Sequence, residues 1–189
     1  MKVASKYHQT QHDLLTELDI INAAKANPEK FEVLYNKYFE QIFHFIYQRV
    51  DDKEEGKDIT QQVFCKAIVG LAEYENRGVP FSSWLYRIAQ NELNMYYRES
   101  KKQRALNIDD EHLESIMEEL KEDVSEKERQ YDQLAMAISQ LDESDAQLIE
   151  MRFFETRSFK EIGEILDITE NNAKVKTYRI LDKIKTLMA

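Results

Sequence analysis

The sequence predicts an all-α protein in which two small helical domains are joined by an acidic linker and the second domain contains a helix-turn-helix. The chain of 189 residues holds only four Gly and two Pro, so residues that break helices are rare. Apolar residues recur at intervals of three and four along much of the chain, the spacing that places them on one face of a helix. Acidic residues concentrate in the middle, which favours two small cores over one large core.

The first domain is expected over residues 18–102, after a polar and flexible tail at residues 1–17. Its expected elements are a short helix from Leu18 to Ala26, a helix that carries an apolar stripe from Phe31 to Val50, a helix from about Glu54 to Ala72, a loop from Tyr74 to Pro80 and a helix from Phe81 to Lys102. The dipeptide Asn27-Pro28 fits a helix start, because Asn caps backbone N–H groups and Pro suits the first helical position.

The helix from Phe81 to Lys102 has two chemically different faces. Its apolar face carries Leu85, Ile88, Ala89, Leu93 and Tyr96, whereas Trp84, Arg87, Asn91, Asn94, Arg98 and Lys101 lie on the opposite face. Cations neutralise phosphates, amides hydrogen-bond to base edges, and an indole stacks on an unpaired base. The pattern therefore suits a nucleic-acid strand, although an ordinary amphipathic surface helix also has a charged outer face.

The formal net charge of −10 is unevenly distributed. Residues 1–98 carry 12 Lys and Arg against 14 Asp and Glu, and residues 134–189 carry 8 against 10, so each flank is −2. The segment 99–133 carries 6 against 12 and is −6. Residues 103–130 are accordingly expected to form an acidic linker with transient helical turns, because they hold too few apolar residues for a core of their own.

The second domain is expected over residues 131–189. A capping box at Ser158 and Glu161 predicts the start of a short helix, and Thr169 can cap a longer final helix after a turn at Asp167. This arrangement is typical of a helix-turn-helix, whose second helix enters the major groove of DNA. The residues that can reach the groove are Asn171, Asn172, Lys174, Lys176, Tyr178 and Arg179.

Other classes of protein have little support in the sequence. We expect no catalytic residue, metal or cofactor, because there is no Gly-rich phosphate loop or nucleophile elbow and the four His are scattered. The single Cys65 excludes an internal disulfide framework and fits a reducing compartment. No segment is long and apolar enough to cross a membrane, and no signal peptide is recognisable, so a cytoplasmic protein without membrane insertion is expected.

Three motifs occur in order and resemble an extracytoplasmic-function (ECF) sigma factor, a bacterial RNA polymerase sigma family. They are GKDITQQVF at residues 56–64, FSSWLYRIAQNELNMYYR at residues 81–98 and SFKEIGEILDITENNAKVKTYRILDKI at residues 158–184. The resemblance implies that the first domain binds core RNA polymerase and melts the minus-ten promoter element, and that the second reads the minus-thirty-five element. The protein would direct promoter-specific transcription initiation and would not itself be catalytic.

The resemblance also implies partners and site residues. Asp58, Gln61 and Gln62 correspond to the contact with the polymerase clamp, and Asn76 and Arg77 to the loop that captures a flipped minus-ten base. Together with promoter DNA, an anti-sigma factor is expected as a partner, and the free protein is expected to be a monomer or a 1:1 complex with it. Departures from the family pattern are Met95, Asp142, Asp167 and the pair Ile180-Leu181, which bear on promoter sequence and affinity more than on the fold.

Two further classes remain open from the residues alone. A helix-turn-helix repressor would bind a duplex without polymerase and dimerise on a two-fold site, but no long heptad supports a dimer. A helical-repeat adaptor would show an internal period, and none is visible.

Overall fold

Two helical units make up the described part of the chain. The structure, a computed structural model, describes residues 11–50, 52–100, 110–120 and 127–188. One unit holds the helices between residues 11 and 100, and the other holds most of the chain from residue 110 onward. No strand is present among these residues, which confirms the predicted all-α class.

Among the described residues, four α-helices form the first unit. They are α1 (Gln11–Ala26), α2 (Glu32–Tyr47), α3 (Lys53–Gly70) and α4 (Phe81–Ser100), with short 3-10 turns at Pro28–Phe31 and Leu71–Glu73. Asn27 caps the 3-10 turn before α2 by accepting a hydrogen bond from the N–H of Glu29 at 3.1 Å. Asp52 caps α3 by accepting one from the N–H of Glu54 at 2.7 Å. The core lies where the apolar stripes of the helices meet, and it includes Ile21, Leu34, Ile42, Val63, Leu85 and Leu93.

The first helix begins earlier than the sequence pattern predicts. The prediction of a flexible tail over residues 1–17 is wrong for residues 11–17, because α1 already begins at Gln11. Residues 1–10 lie outside the described residues. Glu17 is only 3% exposed, and its carboxylate accepts hydrogen bonds from the hydroxyl of Tyr38, the ammonium of Lys37 at 2.6 Å and the backbone N–H of Phe81 at 2.8 Å. A glutamate among polar residues gives no sign of burial, and only the packing of α1 on α2 and α4 supplies its three donors.

The described residues of the second unit contribute to five α-helices. They are α5 (Asp110–Leu120), α6 (Lys127–Ser139), α7 (Glu143–Ile149), α8 (Phe159–Leu166) and α9 (Glu170–Met188), with a π-helical turn at Glu150–Phe154 after α7. Their core includes Leu134, Ile138, Leu148, Ile162, Ala173, Ile180 and Ile184.

The helix α5 lies within the segment for which only transient turns are expected, and that expectation is wrong for residues 110–120. Four of its apolar side chains, Leu113, Ile116, Met117 and Leu120, are at most 5% exposed. The helix packs on α6 and on the π-helical turn, where the ring of His112 stacks on Phe154 with centroids 4.1 Å apart. Four apolar residues cannot form an independent core, but they suffice to extend one that the second unit already has.

Replacement of Glu17 by Ala is expected to destabilise the first unit by about 3 kcal/mol, because the substitution leaves the Tyr38 hydroxyl and the Phe81 N–H buried without their acceptor. The single Trp84 lies in this unit, so its fluorescence in a urea titration reports the unfolding of that unit. The matched control is Asp19→Ala, which removes an exposed carboxylate from the same helix and should change the unfolding free energy by less than about 0.5 kcal/mol. Equal destabilisation by both substitutions would contradict the role given to Glu17.

Candidate nucleic-acid and polymerase interfaces

The exposed face of α3 carries the residues predicted to contact polymerase. Asp58, Gln61, Gln62 and Cys65 are all exposed, whereas Ile59, Val63 and Ala67 are buried against the neighbouring helices. Asp58, Gln62 and Cys65 follow helical spacing, which places a carboxylate, an amide and a thiol in one row.

Sequence reasoning overlooked the apolar end of this row. Val69 is 84% exposed and Ile68 is 45% exposed. Val69 lies four residues after Cys65, so it continues the same face by one turn. The signal in the sequence was present, because Val69 falls outside the buried stripe of α3, but periodicity alone does not distinguish a solvated valine from one that another helix covers.

The polar face that the sequence predicts for α4 is present in the described residues. Asn91, Asn94 and Arg98 are exposed and Arg87 is half-buried, opposite the buried Leu85, Ala89 and Leu93. The side-chain amide of Gln90 donates to the Oδ1 of Asn94 at 2.8 Å. The amide nitrogen of Asn94 is therefore the group that can donate a hydrogen bond to a ligand. Lys101 lies outside the described residues.

Trp84 is the half-buried aromatic residue of this surface. Its ring packs against Tyr74 and Phe81, with centroids 5.1 and 5.4 Å away. The indole lies against the end of α3 at Gly70, where an added Cβ would make an ordinary van der Waals contact of 3.4 Å with the Cζ2 of Trp84. The indole is thereby fixed in orientation while part of it stays accessible for stacking.

The loop before α4 is held at both ends. Lys25 donates to the carbonyl of Tyr74 at 2.6 Å, and Val79 and Pro80 are buried. Within the loop, Asn76 Oδ1 accepts a hydrogen bond from the N–H of Gly78 at 2.7 Å, where the backbone has the positive φ of 70° that favours glycine. Asn76 and Arg77 are exposed, so the Asn76 oxygen shapes the loop while its amide nitrogen remains on the surface.

The helix-turn-helix is confirmed in its local detail. The Ser158 hydroxyl accepts from the Glu161 N–H at 3.2 Å, and the Glu161 carboxylate accepts from the Ser158 N–H at 3.0 Å, which is the predicted capping box. Asp167 adopts φ 57°, the left-handed conformation of the turn, and Thr169 caps α9 by accepting from the Asn172 N–H at 3.2 Å. Gly163 is required here, because a Cβ would lie 2.8 Å from the carbonyl oxygen of Ile168.

The outer face of α9 is polar and accessible. Ala173, Thr177, Ile180 and Ile184 are buried in the unit. The exposed residues are Asn171, Asn172, Lys174, Val175, Lys176, Tyr178 and Arg179. The hydroxyl of Tyr178 donates to the Oε1 of Glu119 on α5 at 3.2 Å. The Glu119 carboxylate raises the pKa of Tyr178, because an adjacent negative charge opposes formation of the phenolate.

Asp142, one departure from the family pattern, has a structural role. Its carboxylate accepts from the N–H of Asp145 at 3.0 Å and from the hydroxyl of Ser144 at 2.8 Å, so it caps α7. These hydrogen bonds hold the pKa of Asp142 well below its usual range, the backbone bond being the largest cause. Lys183 of α9 contacts both Asp142 and Asp145, at 3.3 and 2.8 Å.

Neither a metal centre nor a membrane span is present within the described ranges. No group of three or more His, Cys, Asp or Glu side chains there is arranged to hold a metal ion. None of the described helices is long and apolar enough to cross a membrane.

Comparisons with known proteins match both units. Residues 34–103 match the family Sigma-70 region 2, and residues 131–184 match Sigma-70, region 4. The chain is 23% identical over 154 residues to the ECF RNA polymerase sigma factor SigM of Bacillus subtilis. The aligned residues cover 82% of this chain and 92% of SigM. The chain is 29% identical over 157 residues to the RNA polymerase sigma factor SigZ of the same organism, covering 83% and 86%.

A solved structure shares the fold. CnrH, solved in complex with the cytosolic domain of CnrY, is similar with a TM-score of 0.56 at 18% identity, over 89% of this chain and 94% of that chain. Regions 2 and 4 in one helical chain define a sigma-70 type transcription initiation factor. The chain belongs to the ECF sigma factors, and its function is promoter-specific transcription initiation with RNA polymerase.

The stability of the first unit is expected to fall as the pH rises above 10, because burial, aided by the charge of Glu17, raises the pKa of Tyr74 to about 12. The contribution is fully present below pH 10, where the tyrosine is neutral in the folded and unfolded states alike. It diminishes as pH rises toward 12, since the unfolded chain then ionises more readily. Between pH 9 and 11 the loss is on the order of 1 kcal/mol.

The Tyr74→Phe variant isolates this effect, because it keeps the ring and removes the titrating group. Its unfolding free energy, followed by Trp84 fluorescence, should decline less than that of the natural protein over the same pH range. Parallel decline of the two proteins would show that Tyr74 ionisation does not contribute.

Proposed function

We propose that the two units divide the work of the sigma factor among three surfaces. The exposed row on α3, Asp58, Gln61 and Gln62, binds the clamp of core RNA polymerase. The α4 face and the preceding loop bind the unpaired minus-ten strand through Asn76, Arg77, Trp84, Arg87, Asn91, Asn94, Arg98 and Lys101. The α9 face reads the minus-thirty-five duplex through Asn171, Asn172, Lys174, Lys176, Tyr178 and Arg179.

The observation that carries the proposal is the exposure of polar residues opposite a buried stripe on each of these helices. An Asp and two Gln can accept and donate hydrogen bonds to a partner helix rich in Arg, and the apolar Val69 at the end of the row can pack against it. On α4, a fixed indole lies beside amides and a guanidinium, which are the groups that hold an unstacked base and its phosphates.

The energetics support a requirement for polymerase. Extruding a base from a duplex costs a few kcal/mol, and stacking it on an aromatic ring returns roughly 1–3 kcal/mol. One captured base therefore about breaks even, and the free protein is not expected to open DNA. Melting draws on the contacts of the polymerase, and the chain itself contributes no catalytic group.

Two further elements complete the proposal. The protein acts in the bacterial cytoplasm, where the polymerase and the chromosome lie. An anti-sigma factor is its expected inhibitory partner, as family membership implies; the similar CnrH has been solved with the cytosolic domain of CnrY bound.

The assignment of α3 and α4 is tested by run-off transcription from a library of upstream regions, with core polymerase and purified protein. The Asp58→Arg variant should lose polymerase binding several-fold, because it places a cation opposite cationic helices. The Arg98→Ala variant should bind polymerase normally but yield several-fold fewer open promoters, because it removes a phosphate partner. Polymerase affinity is measured by fluorescence anisotropy and opening by permanganate footprinting.

Matched controls use exposed residues on other helices of the same unit. Asp19→Arg makes the same charge reversal on α1, and Lys30→Ala removes an exposed cation before α2. Both should behave like the natural protein. Equal loss of binding and opening in both test variants would refute the division between α3 and α4. Absence of transcripts together with absence of polymerase binding would favour a helix-turn-helix protein that binds DNA without polymerase.

The α9 assignment predicts that Lys174→Ala weakens binding to the minus-thirty-five duplex of a promoter found in that assay. It should also lower the slope of log affinity against log salt by about one, the signature of one lost phosphate contact. Lys185→Ala, near the end of the same helix, also removes an exposed lysine and should leave the slope unchanged. An unchanged slope for Lys174→Ala would place that lysine outside the phosphate contacts.

A further inference from the structure

The helix α5 lies outside both matched regions yet is part of the unit that carries α9. Residues 110–120 follow the region 2 match, which ends at residue 103, and precede the region 4 match, which begins at residue 131. Four buried apolar side chains fix the helix, the least exposed being Ile116 at 0% and Leu120 at 1%. Packing therefore fixes the position of α5 in the unit, and with it the positions of the charged side chains on this helix.

The charged side chain of Glu119 lies next to the outer face of α9. The Glu119 carboxylate accepts a hydrogen bond from the Tyr178 hydroxyl, with 3.2 Å between the oxygen atoms. Tyr178 is 44% exposed and lies one helical turn after Lys174 on the outer face of α9. A tyrosine hydroxyl that donates to a carboxylate cannot donate to a phosphate at the same time, because it has a single proton.

The carboxylate also opposes DNA electrostatically. Glu114, Glu118 and Glu119 are exposed on α5, so the helix adds negative charge to the unit that must approach a polyanion. Arg152 also acts electrostatically on Tyr178 with the opposite sign, and the Glu119 carboxylate has the larger effect. A phosphate brought to Tyr178 meets the Glu119 charge at short range, where screening by salt is least effective.

We propose that α5 restrains the DNA binding of region 4, with Glu119 competing with a promoter phosphate for Tyr178. The proposal rests on the proposed function of α9 as the reader of the minus-thirty-five duplex. DNA binding and the Glu119–Tyr178 contact are then mutually unfavourable, and linkage requires that each weakens the other equally. Removal of the Glu119 charge should tighten DNA binding, in contrast to most substitutions at an interface.

The test compares Glu119→Gln with Glu118→Gln in the full-length chain. Each variant removes one exposed negative charge from α5, but only the first removes the charge from the side chain that accepts the hydrogen bond of the Tyr178 hydroxyl. The probe is a fluorescein-labelled duplex that carries the minus-thirty-five region of a promoter from the run-off assay, and affinity is measured by anisotropy. Glu119→Gln should bind about two- to fivefold tighter at low salt, with a smaller gain for Glu118→Gln. The gain should shrink at high salt.

A second measurement detects the contact without DNA. The pKa of Tyr178, measured by NMR titration of ring-labelled tyrosine, should fall in Glu119→Gln and stay unchanged in Glu118→Gln. A fall in this pKa together with unchanged DNA affinity would overturn the proposal, because the contact would then exist without competing. An equal gain in affinity for both variants would also overturn it, since general charge repulsion would explain the result.

Failure of the proposal and failure of the proposed function give different results. Tyr178→Phe keeps the ring and removes the hydroxyl, so it should bind DNA no more tightly than the natural protein, and in the double variant it should reduce the gain from Glu119→Gln to that of Glu118→Gln. If Lys174→Ala weakens binding while no substitution at Glu119 affects it, α9 remains the reader and only the competition is rejected. If neither Lys174→Ala nor Tyr178→Ala affects duplex binding, the assignment of α9 itself fails.

Discussion

The first unit depends on one buried carboxylate. Placing Glu17 in the interior costs several kcal/mol unless hydrogen-bond donors surround it, and three donors from Lys37, Tyr38 and Phe81 do so. The last of these is the backbone N–H that begins α4, where a helix has unsatisfied donors and a partial positive charge. Glu17 therefore fixes the start of the helix whose outer face carries the proposed minus-ten residues.

The same constraint extends to the loop before α4. Lys25, two turns after Glu17 on α1, holds the carbonyl of Tyr74 at 2.6 Å, and the ring of Tyr74 lies against Trp84. One helix thus sets both ends of the proposed base-binding surface, the loop through Lys25 and the helix start through Glu17. A surface that holds a flipped base benefits from such rigidity, because a loose aromatic ring would lose conformational entropy on binding.

The acidity of the chain is consistent with its function once the charges are located. A sigma factor needs affinity for promoters only together with polymerase, and a net charge of −10 disfavours non-specific binding of the free chain to DNA. The sequence assigns the acidity to a linker, whereas part of it lies on α5, a helix packed into the second unit. Negative charge on a packed helix acts on a defined neighbour at short distance, as Glu119 does on Tyr178.

Local patterns in the sequence determined the helical class, the capping box at Ser158, the cap at Thr169 and the polar faces of α4 and α9, because each depends on residues within a few positions of one another. The left-handed turn at Asp167 followed in the same way from the tolerance of Asp for that backbone conformation. The tertiary structure alone decided the burial of Glu17, the cap at Phe81, the packing of α5 and the contact between Glu119 and Tyr178. These features join residues 59 to 64 positions apart, or bury side chains whose partners lie on other helices, and no periodicity within one segment carries that information.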